Sequence, residues 1–523
     1  MAQHDTLERL LPQSLANAQR EVFWAALLVL VASLWIATSF TKQVSLFPSI
    51  NEGKSPWTNL KARAHYVKNA RQLLADGFRK FAGPFTVLTD GGRVIMLPPD
   101  MIEHVNAHET LSFKQYTREY MLADYETFRT FKSPPEGMFE EAVMKGLTRS
   151  LPKFTKALSN EMTDCLNDSW NKLDDGWHEI NPRNDVLDWV ARLSSRIFLP
   201  GSFAENKEWL RISIDFTTNC FIAITICRFV PWPLRWTAER LLPLCRKVRA
   251  DYRAAARTLQ PVLDERHKEI AAAEREGRKP QLPDDSIEWF RNASHGRCYN
   301  EVDIQMGLAV AAIHTTSDLL VQALLNLGAH PELLQPLREE AISVLTQHRL
   351  QKTALYELRL LESFFKETQR LKPINMATMH RTATADVELS NGIKIARGQH
   401  TAISSHQMWS NEHYDDPDEF DAFRFVKRRQ TPGLEHRSHL VATSPEHLGF
   451  SHGKHACPGR FFAANEVKIS MLHLILKYDF ELKDIGMAKW MEFGTNMVAN
   501  PKAKIWLRKR QPEIDLEALA SET

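Results

Sequence analysis

An eleven-residue stretch near the end of the chain, FSHGKHACPGR, restricts what this protein can fold into more than any other feature of the sequence. It covers Phe450–Arg460 and places one cysteine, Cys457, between an alanine and a proline. Gly453 precedes this cysteine and Gly459 follows it closely. Glycine allows backbone conformations and close approaches that other residues resist. The stretch therefore predicts a tight loop in which the cysteine has a functional role.

The other cysteines give no such pattern. They lie far apart along the chain, and none forms a CxxC pair: Cys165, Cys220, Cys227, Cys245 and Cys298. This spacing argues against a disulfide framework and suits a reducing compartment. The formal net charge is only +2 over 523 residues. Such a balance predicts no nucleic-acid partner, because nucleic-acid binding needs a concentrated basic surface.

An uncharged segment near the N-terminus predicts a membrane anchor. Twenty residues, 22–41, pass without a charged side chain, which is the length a helix needs to cross a bilayer. No small-x-small cleavage site argues for a signal peptide. Basic residues follow the segment, so the positive-inside rule places the rest of the chain in the cytosol. We predict a lumenal segment (1–21), one transmembrane helix (22–41), a linker (42–58) and one large domain (59–523).

Within the large domain the pattern is mainly α, with a small β-rich region. Apolar periodicity and good helix formers predict helices over about Asn300–Leu327, Ala354–Leu371 and Arg460–Leu476. Two β-branched runs around an Asp-Gly-Gly turn predict a hairpin over Pro84–Leu97. The apolar segment Cys220–Leu244 has two interpretations: core helices, or a surface that reaches a membrane interface with its tryptophans.

Four interpretations of the cysteine stretch are open from its residues alone. It is a loop cysteine without a role, a zinc site that uses His447, His452 and His455, a defective phosphate-binding loop, or a thiolate ligand of haem iron. The haem interpretation explains most of the residues. A helix that begins just after Cys457 favours a thiolate through its dipole, and the flanking glycines leave room for a flat macrocycle.

The stretch resembles the haem loop of the cytochrome P450 family, F-x-x-G-x-[HR]-x-C-x-G, at every specified position. The resemblance implies that Cys457 binds the iron as its axial thiolate. It also implies that Phe450 shields the sulfur, that Gly453 and Gly459 lie against the haem, and that His455 donates to a haem propionate.

Further motifs occur in the order that this family shows. Glu367-Thr-Gln-Arg370 resembles its ExxR motif, and Arg424 resembles the second arginine with which that motif forms a structural ion-pair set. Arg381 matches a propionate-binding arginine. Ala311–Ser317, AAIHTTS, resembles the oxygen-activation motif, with Thr315 as the proton-delivering threonine. His314 stands where the family usually has an acid, so it either relays protons itself or only packs.

The resemblance covers essentially the whole chain and implies the P450 fold with haem b as the cofactor. It implies a monooxygenase that uses O₂ and receives electrons from an NADPH–cytochrome P450 reductase in the endoplasmic reticulum membrane. No GxGxxG sequence follows a predicted strand, so the reductase must be a separate protein. The passages around Arg381 and Arg424 are similar to fungal secondary-metabolite members, which implies an apolar terpenoid or polyketide-derived substrate.

The resemblance also bears on the segment over the haem and on two alternative functions. By family analogy, Phe113–Pro134 is expected to form a loop over the haem. An isomerase or dehydratase with thiolate-bound haem is an alternative activity, but Thr315 argues against it because such enzymes often lack this threonine. A non-catalytic haem-binding protein is a second alternative, which would need neither this threonine nor the anchor.

Overall fold

The computed structural model describes residues 46–53 and 55–521. The predicted lumenal segment and transmembrane helix, residues 1–41, lie outside this part of the chain. The first described helix begins at Pro56, within the predicted linker.

Helices dominate the described residues. They are α1 (Pro56–Lys80), α2 (Ile102–Ala107), α3 (Phe113–Tyr120), α4 (Met138–Glu141), α5 (Arg149–Asp168), α6 (Pro182–Phe198), α7 (Lys207–Phe229), α8 (Trp232–Leu241), α9 (Pro243–Glu276), α10 (Ser286–Ser294), α11 (Glu301–Ala329), α12 (Leu334–His348), α13 (Lys352–Glu357), α14 (Arg359–Leu371), α15 (Arg424–Arg429), α16 (Arg460–Lys477) and α17 (Leu516–Ser521). A π-helix, Ala142–Thr148, joins α4 to α5. The chain is therefore mainly α, as the sequence predicts.

Within the described part of the chain, the strands are short and form four small sheets. They are β1 (Phe85–Thr89), β2 (Gly92–Leu97), β3 (Leu111–Ser112), β4 (His178–Ile180), β5 (Ala377–Ala383), β6 (Val387–Glu388), β7 (Lys394–Ile395), β8 (His400–Ser404), β9 (Tyr478–Glu481), β10 (Met491–Phe493), β11 (Asn496–Val498) and β12 (Ile505–Lys509). The largest sheet has the order β1-β2-β8-β5-β3, and a three-stranded sheet has the order β4-β12-β9. The remaining pairs are β6-β7 and β10-β11.

Several predicted elements are confirmed, with small shifts at their ends. The hairpin is β1-β2, which pair antiparallel across the Asp90–Gly91 turn. Helix α11 begins after Asn300, whose side chain accepts a hydrogen bond from the Asp303 N–H at 2.9 Å. The helix predicted over Ala354–Leu371 is instead two helices, because Leu358 leaves the helical conformation between α13 and α14.

Helix α11 runs through the largest hydrophobic cluster of the described residues. It packs against α6, α7, α14 and α16, so it contacts elements from both halves of the chain. This burial accounts for its apolar composition. Both α7 and α11 are long and apolar enough to span a membrane, but 50% of the most apolar window of α7 and 67% of that of α11 are buried inside the domain. These two helices are core helices of the domain.

The segment Cys220–Leu244 contains a buried part and an exposed part. The end of α7 contributes buried Ala223, Ile224 and Cys227 to a small cluster. Helix α8 follows with Trp232 and Trp236 exposed by 62% and 59%. The chain therefore passes from a core helix to a short helix whose tryptophans face outward.

A carboxyl group lies buried where α16 meets α6. Glu466 is only 1% exposed, and its Oε1 accepts a hydrogen bond from Ser194 Oγ at 3.1 Å. Its Oε2 has no hydrogen-bond partner among the described residues. Burial raises the pKa of Glu466 to about 8, well above the ordinary value for glutamate. The folded protein therefore holds this carboxyl in its neutral form at pH 7.

Glu466→Gln is expected to stabilise the protein at pH 8 more than at pH 6. The unfolded chain releases the glutamate proton near pH 4.5. The stability that the neutral carboxyl provides is therefore complete below that pH, and it is lost as the pH rises toward 8. At 1.36 kcal/mol per pKa unit, the free energy of unfolding should change by roughly 2 kcal/mol between pH 6 and pH 8 relative to the variant. Urea denaturation at both pH values measures this difference.

Glu274→Gln, at an exposed position on α9, is the matched control for the same substitution without burial, and it should change the free energy of unfolding little. An equal stabilisation by Glu466→Gln at both pH values would contradict the prediction.

Candidate functional site

The middle of α11 carries an exposed strip inside an otherwise buried helix. Ala311 and Thr315 are exposed, although Ile313 and Thr316 beside them are buried. Residues four apart lie on the same face of a helix, so the two side chains border one open space within the domain. The small Ala311 leaves that space free next to the Thr315 hydroxyl.

The Thr315 hydroxyl has a defined orientation. Its Oγ1 donates a hydrogen bond to the Ala311 carbonyl oxygen at 2.7 Å. Ser317 makes the same kind of bond to the Ile313 carbonyl, also at 2.7 Å, from the buried side of the helix. Such bonds back to the preceding turn tend to bend a helix. Because the Thr315 proton goes to a carbonyl, the lone pairs of its oxygen remain available to a water molecule on the open side.

The cysteine loop precedes α16, which packs against α11. The Cys457 N–H donates to the Phe450 carbonyl oxygen at 2.9 Å, and this bond closes the loop. Gly453 has a φ of 74°, a conformation that favours glycine. A Cβ on Gly453 would collide with the Asn106 side chain, whereas one on Gly459 would meet no atom within 4 Å. Gly453 therefore serves the close packing of the loop, and Gly459 faces free space.

Opposing effects act on the Cys457 thiol. Burial raises its pKa, while the backbone N–H groups of Gly459 and Arg460 and the Arg460 charge lower it. The helix-terminus effect expected from the sequence is present, but burial outweighs it. A thiolate at this position consequently needs a further positive charge, and a metal ion supplies one because it deprotonates the thiol that it binds.

Arg381, Phe113 and His455 come together although they lie far apart in the sequence. The Phe113 ring lies 5.7 Å from the Arg381 guanidinium carbon and 5.4 Å from the His455 ring. The Arg381 charge contributes to lowering the pKa of His455, after burial. Phe113 begins α3, so the segment Phe113–Pro134 is not simply the loop that we expected: it contains this helix and a 3₁₀ turn.

Arg381 is the best test of whether a haem fits here. It is 2% exposed, and burial lowers its pKa to about 10. In the part of the chain that the structure describes, its side chain makes one hydrogen bond, from Nη1 to the His380 carbonyl oxygen at 2.8 Å, and none to a carboxylate. A buried charge without a counter-charge is costly. The carboxylate of a haem propionate would supply that counter-charge, so these residues fit the group.

His314 turns away from the open strip. Its Nε2 lies 2.9 Å from the carbonyl oxygen of Ile214 on α7. The pKa of His314 is lowered, mainly by burial and further by the charge of Arg183, while the bond to Ile214 raises it. The ring is therefore neutral at pH 7, and the carbonyl requires its proton on Nε2.

Glu367, Arg370 and Arg424 form one buried ion-pair set. Arg370 Nε and Nη2 donate to the two oxygens of Glu367, both at 2.8 Å, and Arg424 Nε donates to Oε1 at 3.0 Å. Both Glu367 and Arg370 are fully buried. Nη1 of Arg370 also donates to the carbonyl oxygens of Met408 and Pro417. The set joins α14 to the irregular segment before the cysteine loop.

The zinc interpretation finds no support among residues 46–53 and 55–521. No group of three or more His, Cys, Asp or Glu side chains there is arranged to hold a metal. His447 is buried and pairs with Gln369 Oε1 at 3.1 Å, and His452 pairs with Thr443 Oγ1 at 2.9 Å. These histidines are engaged elsewhere.

Comparisons with known proteins agree with this geometry. Residues 55–507 match the family model of the cytochrome P450s. The chain belongs to the cytochrome P450 family. It is 38% identical to the cytochrome P450 monooxygenase esdpI of Penicillium shearii over 522 residues, which are 97% of this chain and 100% of that relative. It is also 38% identical to adrA of Penicillium rubens, over 93% of this chain and 96% of that relative.

Solved structures support the fold. The chain resembles the retinoic acid-bound cyanobacterial CYP120A1 with a TM-score of 0.66 and 16% identity, over 90% of this chain and 100% of that one. The predicted P450 fold is thus confirmed. The protein is a P450 monooxygenase, an oxidoreductase that uses O₂, an organic substrate and a redox partner, with a cysteine-ligated haem iron as its cofactor.

Two residues of the site, Phe113 and Asn106, were not predicted from the sequence. Phe113 lies between Arg381 and His455, and Asn106 supports Gly453. Neither belongs to a recognisable motif. The one available signal was an aromatic residue at the start of a predicted segment over the haem, and it did not single out Phe113 from the other aromatic residues there.

Proposed function

We propose that Cys457 is the axial ligand of haem b and that the enzyme oxidises an apolar small molecule, a terpenoid or polyketide-derived intermediate of fungal secondary metabolism. The observation that carries the proposal is the accessible strip of Ala311 and Thr315 on a buried helix that packs against α16, directly after the cysteine loop. Relatives that are monooxygenases from fungi support the monooxygenase role.

The binding roles follow from the contacts. Arg381 and His455 hold the propionates, because both lie beside Phe113 and the Arg381 charge has no carboxylate partner among the described residues. Phe450 closes the loop around the sulfur through its carbonyl bond to the Cys457 N–H. Gly459 leaves space for the macrocycle edge. A thiolate-ligated haem supplies the activation of O₂ for insertion of one oxygen atom into the substrate.

Thr315 controls protons at the open strip. Its own proton is donated to Ala311 O, so its oxygen accepts a hydrogen bond from a water molecule and fixes that water on the reacting side. Protons then reach the site through water held at Thr315 Oγ1. The apolar helix face around it excludes other water, so protons arrive only through the water held at Thr315.

An NADPH–cytochrome P450 reductase is the proposed electron donor. The described residues provide an exposed lysine, Lys454, within the cysteine loop itself. Arg460 is less available, since Nε and Nη1 donate to the Val441 and Cys457 carbonyl oxygens. Lys454 is therefore the better candidate for contact with an acidic surface of the reductase.

The proposed location is the endoplasmic reticulum membrane, with residues 22–41 as the single anchor and the large domain in the cytosol. An apolar patch supports contact with the membrane surface. It consists of exposed side chains from the end of α7 and from α8: Phe221, Ile222, Ile226, Trp232, Leu234, Trp236 and Leu241. Arg240 lies over the Trp236 ring at 4.5 Å. Tryptophan and arginine together are typical of membrane interfaces.

One experiment tests these proposals together. Microsomes that contain the full chain and a fungal reductase are supplied with NADPH, ¹⁸O₂ and a panel of apolar terpenoids and polyketides. A product that carries one ¹⁸O atom is expected, and the protein should stay in the membrane pellet after alkaline carbonate extraction. An oxidised product without ¹⁸O would contradict the monooxygenase role on that substrate, and release by carbonate would contradict the anchor.

A further inference from the structure

The side chain of His314 connects α11, the helix that carries Thr315, to α7. It belongs to α11, next to Thr315, and its Nε2 bonds to the Ile214 carbonyl oxygen on α7 at 2.9 Å. That carbonyl lies within α7, a regular helix from Lys207 to Phe229. A side chain that donates to a backbone carbonyl of another helix fixes the position of one helix against the other.

This arrangement is unsuited to a proton relay. A neutral histidine that donates its Nε2 proton to a carbonyl has no basic acceptor at that end to which it can pass the proton. Among the described residues, the charge that acts on the ring is that of Arg183 on α6, a cation that does not act as a proton donor at neutral pH. The open side of α11 is instead bordered by Ala311 and Thr315.

Helix α7 reaches from this bond to the exposed apolar patch. Ile226 of the patch lies twelve residues beyond Ile214, or about 18 Å along the helix at 1.5 Å per residue. Phe221 contacts Phe131, with 6.1 Å between the ring centroids, so the outer half of α7 also borders the segment between α3 and α4. A displacement of α7 at its outer end would therefore reach α11 beside Thr315 through this bond.

Two side chains of α11 bond back to the backbone next to His314. Thr315 and Ser317 both donate to carbonyl oxygens one turn earlier, Ala311 O and Ile313 O, and bonds of this kind tend to bend a helix. The bond from His314 to Ile214 adds a contact from another helix directly before them.

We propose that His314 is a positioning residue, a latch that holds α7 against α11 and so couples the position of α7 to the placement of Thr315. This inference rests on the proposed function, because it concerns the same site. It replaces the direct proton transfer by His314 that the sequence left open.

The test compares two substitutions in the full-length chain. His314→Gln keeps a side-chain N–H donor, and His314→Leu removes it. Hydrogen–deuterium exchange should show faster exchange of the α7 amides around Ile214 in His314→Leu, by about fivefold to tenfold, the change expected from one lost buried hydrogen bond. His314→Gln should restore slow exchange to within about twofold of the unsubstituted protein.

Gln322→Leu is the matched control. Gln322 also lies on α11 and donates from Nε2 to a backbone carbonyl of another segment, Ala488 O, at 2.8 Å. Its replacement removes a comparable bond from the same helix, one whose acceptor lies outside α7. Exchange near Ile214 should therefore remain unchanged in this variant.

A second readout separates a latch from a general structural contribution. The binding rate of 1-phenylimidazole, an apolar base that coordinates haem iron, is measured by stopped flow. It should rise in His314→Leu by about the same factor as the exchange rate, and stay near the original rate in His314→Gln and Gln322→Leu. The solvent isotope effect on reductase-supported NADPH oxidation should be the same in all of these proteins.

Any one of four results would contradict the latch. In the exchange experiment, these are unchanged α7 exchange in His314→Leu, or equal exchange in His314→Gln and His314→Leu. In the second experiment, they are an unchanged 1-phenylimidazole binding rate in His314→Leu, or a solvent isotope effect that is altered in both His314 variants, which would indicate a proton relay. If the unsubstituted protein binds no haem, the proposed function fails, while the exchange measurements still decide whether His314 holds α7.

Discussion

Glu367→Gln is expected to leave little or no folded protein. The carboxylate is fully buried and pairs with two buried guanidinium groups, those of Arg370 and Arg424. Removal of one partner from a buried ion pair costs about 3–5 kcal/mol, because it leaves charge without compensation. That is a large part of the roughly 5–15 kcal/mol by which a folded domain is stable. The measurements are the yield of monomeric protein and its far-UV circular dichroism.

The chain contains a matched control for this substitution. Glu288 and Arg291 have the same Glu-x-x-Arg spacing on α10 and pair at 2.6 Å, but their side chains are 17% and 38% exposed. Glu288→Gln should cost about 1 kcal/mol or less, as exposed pairs generally do. Equal yields of the two variants would show that burial of the Glu367 set is not what makes it important. The same spacing therefore has a large or a small effect according to the surroundings.

Thr315→Ala is expected to separate electron consumption from product formation. The variant keeps the helix and the open space but loses the oxygen that holds water on the reacting side. NADPH oxidation should continue, with more hydrogen peroxide released, while product per NADPH falls roughly hundredfold, at the lower end of the range for lost proton delivery. The quantities to measure are NADPH, peroxide and the ¹⁸O-labelled product.

Two controls accompany this variant. Thr315→Ser keeps the hydroxyl and should retain most of the coupling between NADPH and product. Ser317→Ala removes the equivalent bond to Ile313 O on the buried side of the same helix, so it tests the effect of the bond without the open strip. Loss of coupling in Ser317→Ala equal to that in Thr315→Ala would assign the effect to helix geometry instead of proton control.

Much of the site could be predicted from short local motifs. The cysteine loop, Thr315 and the Glu367–Arg370 pair are short patterns, and the helices that hold them have clear apolar periodicity or caps. Arg424 was predicted only through family resemblance, since nothing in its own residues indicates a partner 57 positions earlier in the chain. The structure provides that contact.

Contacts with the backbone or through burial could not be predicted. The partner of His314 is a carbonyl oxygen 100 residues away, and a backbone atom leaves no signature in the sequence. Glu466 has the residue type of a surface position in a helix, and only the packing of α16 against α6 shows that it is buried and neutral. The break at Leu358 likewise depends on tertiary packing that overrides a continuous helical pattern.

The central claim is that Cys457 binds haem iron as a thiolate. The most direct measurement is the carbon monoxide difference spectrum of the reduced, membrane-expressed protein beside Cys457→Ser. We expect a strongly red-shifted Soret band in the unsubstituted protein that is absent from the variant. A spectrum without that band in the unsubstituted protein, or the same band in both proteins, would contradict the assignment of Cys457.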